Sequence, residues 1–569
     1  MERYRHTVAA GSGRGGRLGN ATGAFISNAR NPNLRRAQLS FFGAWTAEWA
    51  FTVGLGIVAY RDGGATAVGL VGLLRMAPSA LLAPILSPLA DKGRRERVLI
   101  LVCVLRGLVT GAVAVNVGLG GPAQIVYALA VASTIVATLY RPAHSALLPS
   151  LCRTGYELAS ANVVRGLLDA AATFVGPLLA ALLLQYTDVT VVFAVAAGAS
   201  LWAAAALLRL DYHAPPRPSA AGQNNWVSSA VEGVRVVSRN ADLALIIGLA
   251  AAQSLTRGAL TVLTVVVAID LLGTGEPGVG VLNAAIGAGA LLGSVAASLL
   301  VATRHLGVVF AAGVTLWGLP VTLVGVFPHQ MAALVLLALV GVGNSLIDLA
   351  GFTLLARLAA DAVLARVFGA LESVVALSIG VGAIAASLVV DRAGVRPALV
   401  TVGLLCPVLA VASWRRLRGM DRSIGVRDDD IKLLHAVAMF SVLPLPAIEQ
   451  LARGLESLDV PARHVVFQQG DVGEHFFVIE SGEADVIGDG QVVATLGPGV
   501  GFGEIALLRR IRRTATVRAT SELRLKALRS DHFLPVVLGY TPSSREAGVV
   551  IDSMLDRFTP RDGPETPRG

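Results

Sequence analysis

The stretch FGEIALLRRIRRTATVRA, residues 502–519, lies in the last quarter of a 569-residue chain whose earlier part reads as apolar helix. Five arginines surround one glutamate. Gly503 permits close backbone approach, and the residues after it can form one helical turn whose free N–H groups make an anion site. Arg513, nine residues after Glu504, can return beside that site and grip a phosphate bidentately. A glutamate beside a phosphate is electrostatically wrong unless the ligand also offers a hydroxyl. Phosphate plus sugar hydroxyl describes a nucleotide.

The surroundings of this stretch are of two kinds. The chain is 54% hydrophobic and 15% charged, with mean hydropathy +0.67. Soluble domains average about 25% charged, so the bulk reads as a polytopic membrane protein. Net charge is +9; residues 431–569 hold 15 Lys/Arg and 17 Asp/Glu, so the +11 of the remainder belongs to the apolar part. Such positive charge fits membrane loops and argues against a nucleic-acid partner. Cys103, Cys152 and Cys406 are widely spaced, which predicts neither a disulfide framework nor a metal site. No cleavable signal peptide is expected, because the first apolar run is too long for one. GSGRGG (11–16) has no strand before it and is read as part of a disordered tail.

Twelve apolar segments of spanning length are expected at 38–60, 65–90, 97–118, 122–148, 158–185, 189–210, 241–270, 277–302, 305–327, 330–357, 364–390 and 395–416. Arginines crowd RNPNLRR (30–36), DKGRRER (91–97), 211–240 and WRRLRGMDR (414–422). The opposite loops hold only Arg61, Arg392 and Arg396. The positive-inside rule then places both termini in the cytoplasm of a multi-pass protein of the plasma (inner) membrane. ALLAP (80–84) against ALLGS (290–294), and RGLLDAAATFVGP (165–177) against FGALESVVALSIG (368–380), favour a six-plus-six repeat.

A charge at mid-membrane costs about 2.5–3.5 kcal/mol or more and must face protein or water. Glu48 and Arg257 lie mid-span at near-equivalent places in the two halves. Glu48 is expected to be a proton- or cation-coupling carboxylate, with Arg257 as its partner or as an anion-binding group; a purely structural Glu–Arg pair is the competing reading. Arg75, Arg106 and Asp348 are weaker candidates. Glycine runs such as GAGALLG (287–293) signify close helix packing.

SPLADKGRRERVLI (87–100) resembles the signature loop of the major facilitator superfamily, with Asp91 and Arg95 matching and Ser87, Arg94 and Glu96 departing from it. LYRPAHSALLPSL (139–151) and LARLAADAVLARVFGALES (355–373) extend that resemblance over roughly 37–417 and incline it to the efflux-like branch. The resemblance implies alternating access around a small-molecule substrate, with Asp91 and Arg95, joined by Asp169 and Glu372, acting in gating.

Residues 502–517 resemble the phosphate cassette of cyclic-nucleotide-binding domains, F-G-E-[LI]-A-L-x5-R-x-A-[TS]-V, matching at Phe502, Gly503, Glu504, Ile505, Ala506, Leu507, Arg513, Ala515, Thr516 and Val517. FFVIESGEADV (476–486) matches the strand and turn upstream. The resemblance implies that Glu504 binds the ribose 2′-hydroxyl and that Arg513, with the Ala506 N–H, binds the cyclic phosphate. Thr514 resembles cGMP-kinase and channel versions, where it can reach a guanine amino group. Forty-four arginines against three lysines incline the ligand to cAMP, with cGMP the alternative. Related sensor domains sometimes pair, so a homodimer is one expected partner state, beside the bilayer itself.

The expected fold is therefore a mainly α membrane protein of twelve helices with a C-terminal cytoplasmic β-roll plus helices. Its parts are a tail (1–36), a first transporter half (37–210), an inter-half linker (211–240), a second half (241–417), a linker (418–430), a cyclic-nucleotide-binding domain (431–558) closed by a helix at 543–558, and a tail (559–569). The function it predicts is a secondary transporter, inclined to efflux and ion-coupled, regulated by the nucleotide; the alternative is a non-transporting, membrane-anchored receptor. A gated channel lacks its T-V-G-Y-G filter. No catalytic motif marks an enzyme, and no cofactor is expected.

Overall fold

The computed structural model describes residues 30–92, 94–152, 155–210, 235, 237–300, 305–358, 361–441, 443 and 445–539. The tail before residue 30, most of the 211–240 linker, and the closing helix and tail beyond residue 539 lie outside them. The chain divides into two compact units, Met1–Arg418 and Gly419–Gly569.

The first unit is all helix: α1 (Pro32–Lys92), α2 (Arg95–Gly118), α3 (Ala123–Ala137), α4 (Tyr140–Leu151), α5 (Gly155–Tyr186), α6 (Val189–Leu207), α7 (Ala241–Val266), α8 (Gly275–Leu300), α9 (Leu306–Val326), α10 (Gln330–Leu358), α11 (Asp361–Ala393) and α12 (Val395–Ala436). Asp188 and Asn240 open α6 and α7 by accepting two backbone N–H bonds each, the ordinary way of satisfying a helix's first donors. Among the described residues eleven helices are long and apolar enough to cross a membrane, where the sequence reading expects twelve. The difference has a local cause. α1 runs 61 residues but leaves helical geometry at Gly63 and Gly64. Gly64 sits at φ +61°, a conformation that costs other residues a clash. The helix therefore folds into two rods, and the second packs on α11 while α5 packs on α8. α7 ends in a π-turn, Val267–Leu271.

Buried side chains of the first helices, among them Leu34, Phe41, Leu99, Tyr140, Leu147 and Leu207, form one core. Burial inside the bundle and exposure of apolar residues outside it, such as Leu108, Val335 and Val411, are what a lipid-facing surface requires.

The second unit begins with the last turns of α12; residues 418–430, expected as a linker, are helical. A 3-10 turn (Ala438–Phe440) and α13 (Leu445–Arg453) follow. Eight strands come next: β1 (Leu455–Val460), β2 (Val465–Phe467), β3 (His475–Ser481), β4 (Ala484–Gly488), β5 (Gln491–Leu496), β6 (Gly501–Phe502), β7 (Thr516–Ala519) and β8 (Leu523–Arg529). They form two antiparallel sheets ordered β1-β8-β3-β6 and β2-β7-β4-β5, face to face over Ile479, Phe502, Val517 and Leu525. Between β6 and β7 sits the short helix α14 (Glu504–Arg509), and α15 (Ser530–Gly539) ends the described chain. A second core joins Leu434, Phe440 and Ile448 to Phe476, Leu507 and Phe533. Through Leu507, α14 shares a core with the end of α12. A buried ion pair, Lys526 Nζ to Asp430 at 2.8 Å, fastens α12 to β8.

Candidate functional site

The cleft in the second unit forms where β6 gives way to α14. Phe502 pairs with Phe477 across β6 and β3, which fixes where the chain leaves the sheet. Gly503 then takes φ +92° as the residue before α14. A Cβ there would fall 2.6 Å from Arg513 Nη1, so both the turn and the close approach require glycine. α14 lasts six residues and stops at Arg510, itself left-handed at φ +54°. The chain doubles back, and backbone bonds from Arg513 N to Asp471 O (2.9 Å) and from Gly470 N to Arg513 O (2.8 Å) clamp it. Arg513 is thereby returned to the cleft that Glu504 also lines.

Gly503, Glu504, Ile505, Ala506, Arg513 and Thr514 all line one cleft, closed at the back by Phe467, Val486 and Leu496. Arg513 stacks over Phe467 with its guanidinium carbon 4.1 Å from the ring centre. Its Nη1 donates to Gly503 O (2.8 Å) and its Nη2 to His475 O (2.7 Å). Its Nε has no partner, nor has Glu504 Oε2, although both are buried. Among the described residues no ion pair joins Glu504 to Arg513. Burial pushes the Glu504 carboxyl up to about 7, against the pull of its own backbone N–H and of Arg513. Burial also lowers Arg513, opposed by Glu504 and Asp471. A buried acceptor and a buried donor without partners, beside a short helix, suit a ligand that brings a hydroxyl and an anion.

The first unit holds a different kind of charge cluster. Glu48 does not meet Arg257. Its Oε1 takes Arg75 Nη2 at 2.8 Å and its Oε2 takes Arg106 Nη2. Arg75 Nε also donates to Thr134 Oγ1 at 2.9 Å. This corrects the expected pairing, and helix geometry explains it: successive residues point about 100° apart. Arg257 lies over the ring of Trp49, the neighbour of Glu48, at 6.0 Å. Arg75 and Arg106 were the legible signal, two arginines in spans adjoining a buried acid. Arg257 instead lies in electrostatic reach of Asp348, Arg141, Asp169 and Glu372, so α4, α5, α7, α10 and α11 all contribute. Asp348 accepts from Asn344 Nδ2 at 2.9 Å, and Arg141 Nη2 stands 3.6 Å from Asp169 Oδ1. Arg95 Nη1 donates to Ala146 O at 2.6 Å. The side chain of Asp91 lies outside the described residues.

Comparison with known proteins finds a family match within each unit. Residues 38–304 match the Major Facilitator Superfamily, and residues 458–540 match the Cyclic nucleotide-binding domain. An uncharacterized protein of Mycobacterium tuberculosis is 48% identical over 79 residues, 14% of this chain and 15% of that protein. The cAMP-dependent protein kinase regulatory subunit of Schizosaccharomyces pombe is 34% identical over 138 residues, 24% of this chain and 31% of that one. The chain thus spans less than a third of either relative's length. Among solved structures, the regulatory domain of Toxoplasma gondii PKA with cAMP is 29% identical, covering 24% of this chain and 50% of that one at TM-score 0.20. The Thermus thermophilus catabolite activator protein is 24% identical, covering 21% and 59% at TM-score 0.20.

Proposed function

We propose that this chain, which joins a major facilitator superfamily domain to a C-terminal cyclic nucleotide-binding domain, is a secondary transporter whose cycle is biased by cAMP. One observation carries the regulatory half: Glu504 Oε2 and Arg513 Nε are buried and unpartnered in the same cleft, matching the hydroxyl and phosphate of a cyclic nucleotide. The S. pombe relative named for cAMP dependence inclines the ligand to cAMP over cGMP; Thr514, in the cleft wall, leaves room for the second.

In the membrane half, the fold of α1 at Gly63–Gly64 supports twelve crossings, six on each side of the 211–240 linker. The arginine-rich loops put both termini in the cytoplasm. With both oxygens of Glu48 held by arginines, we assign Glu48 to bracing the first half. Ion coupling falls to Asp348, exposed and bonded to neutral Asn344, with Arg257 as the cation that answers it. Asp91, Arg95, Asp169 and Glu372 remain gating residues. The direction is outward, for a small organic solute.

Coupling runs along the chain. Nucleotide binding reorders α14, Leu507 moves in the core it shares with Leu434 and Phe440, and α12, which continues from the last span, carries the change. A coupling of about 1–3 kcal/mol alters transport severalfold to a hundredfold, provided the nucleotide binds the two states unequally. The test is calorimetric titration of the purified full chain with cAMP and with cGMP, beside Arg513→Ala. Saturable binding is expected in the parent, weakened about thirtyfold to a hundredfold in the variant. No binding to either nucleotide by folded protein would remove the regulatory half of this reading.

A further inference from the structure

Three arginines stand on the arginine-poor side of the sequence, and one of them has a visible task. Arg61 ends the first rod of α1, just before the Gly63–Gly64 corner. Its Nε and Nη2 donate to Glu276 Oε1 and Oε2 at 2.5 and 2.7 Å, a bidentate fork of the strong, geometrically specific kind. Glu276 opens α8, in the other half of the sequence. Tyr60 beside it donates to Asp270 Oδ2 at 2.6 Å, on the π-turn that ends α7. Thr66, just past the corner, donates to Asp391 Oδ2 near the end of α11. Four hydrogen bonds, in three contacts, thus tie one short corner to three helices of the other half. Asp62 alone in the corner turns back to its own half, taking Tyr127 O–H at 2.6 Å.

The packing beneath agrees. Gly69 lies so close to α11 that a Cβ would fall 2.5 Å from Ser387 Oγ, and Gly280 so close to α5 that one would fall 2.6 Å from Pro177 O. The two inter-half seams, α1 with α11 and α5 with α8, are therefore shut at the end that carries these contacts. The π-turn that ends α7 is of a kind frequent at functional places.

We infer that the Arg61–Glu276 pair, with Tyr60–Asp270 and Thr66–Asp391 beside it, is the latch that holds this end of the two halves shut and breaks when that end opens. The inference rests on the transporter reading. An exposed ion pair alone contributes little, but a bidentate pair within a network is the exception, and this one closes a contact between halves rather than a local turn. Arg61 and Glu276 are positioning residues: they set the balance between closed and open ends without touching the substrate.

The test needs no substrate. Spin labels are placed at exposed Gln185 and Ala393, one in each half at this end, in full-length protein with Cys103, Cys152 and Cys406 replaced by alanine, in lipid nanodiscs. Electron–electron dipolar distances are then compared for the parent, Arg61→Glu, Glu276→Gln and the swap Arg61→Glu with Glu276→Arg. Arg61→Glu is expected to raise the ratio of long to short distances by roughly tenfold or more; Glu276→Gln shifts it the same way and less, and the swap restores the parent distribution. Glu276→Gln keeps the shape of the side chain and serves if the charge reversal fails to fold. Parent-like distances in folded Glu276→Gln and Arg61→Glu overturn the latch, as does a swap that stays open. Either failure leaves the transporter reading standing, because that reading fails only by absence of solute movement.

Discussion

The chain sets a glutamate against arginine twice, half-buried at Glu48 and buried at Glu504, to opposite effect. In the bundle, Glu48 has both carboxylate oxygens taken by Arg75 and Arg106. In the sensor, Glu504 keeps one oxygen without a partner, and Arg513 spends its terminal nitrogens on backbone carbonyls. A buried charge is tolerated only when paired. The difference lies in the carboxylate: both oxygens of Glu48 are answered, although Arg106 Nε and Nη1 stay buried without a partner, whereas Glu504 Oε2 has none, which suits the ligand hydroxyl proposed for it.

The largest test of that contrast is one substitution made in both places. Glu48→Gln leaves two buried arginines facing each other and is expected to cost about 3–5 kcal/mol of stability, read as a fall in the unfolding temperature of the purified protein. Glu504→Gln removes a charge that burial disfavours, so at pH 8 without nucleotide the sensor should hold or gain stability. A comparable loss at both sites would break the comparison.

The pH dependence comes next. A carboxyl raised from 4.5 to about 7 favours its neutral form in the folded state. Its contribution is complete below pH 4.5 and is lost as pH rises through about 7, on the order of 3 kcal/mol. Denaturant titrations of the parent between pH 5 and pH 8 should show that decline, and Glu504→Gln should flatten it. Arg513→Ala should weaken cyclic-nucleotide binding by about 2–3 kcal/mol, the worth of charge-assisted hydrogen bonds, measured by calorimetry. Gly503→Ala should have the smallest effect, about 1–2 kcal/mol for a left-handed residue. It should appear mainly as weaker nucleotide binding, because Arg513 Nη1 has to move aside. Equal affinity for Gly503→Ala and parent would show that the turn is not part of the site.

The sensor cleft was legible because its residues are close in sequence: Gly503, Glu504 and Arg513 lie on one turn and one return, and local spacing nearly determines their meeting. The bundle was legible as helices, since apolar length alone marks a span, but its pairings were not. Whether Glu48 meets Arg75, Arg106 or Arg257 depends on helix rotation, and apolar residues all round a helix leave rotation unmarked. The sequence reading put a break between 60 and 65, where Gly63–Gly64 bends one continuous helix, and this is where its twelve segments meet eleven candidate spans among the described residues. The helical form of the 418–430 linker was not legible, because DRSIGVRDDD (421–430) is polar and polarity alone does not tell helix from loop.

Arg513 is held by the carbonyls of Gly503 and His475, and that grip has a consequence for signalling. Each terminal nitrogen gives one N–H to a carbonyl and keeps a second, and Nε keeps its own, so the backbone fixes the guanidinium plane without using up its donors. On the proposed reading the fork is set before any phosphate arrives, and little rotamer freedom is left to lose on binding. Substitutions that loosen the His475 carbonyl would then weaken nucleotide binding without touching any atom the nucleotide meets.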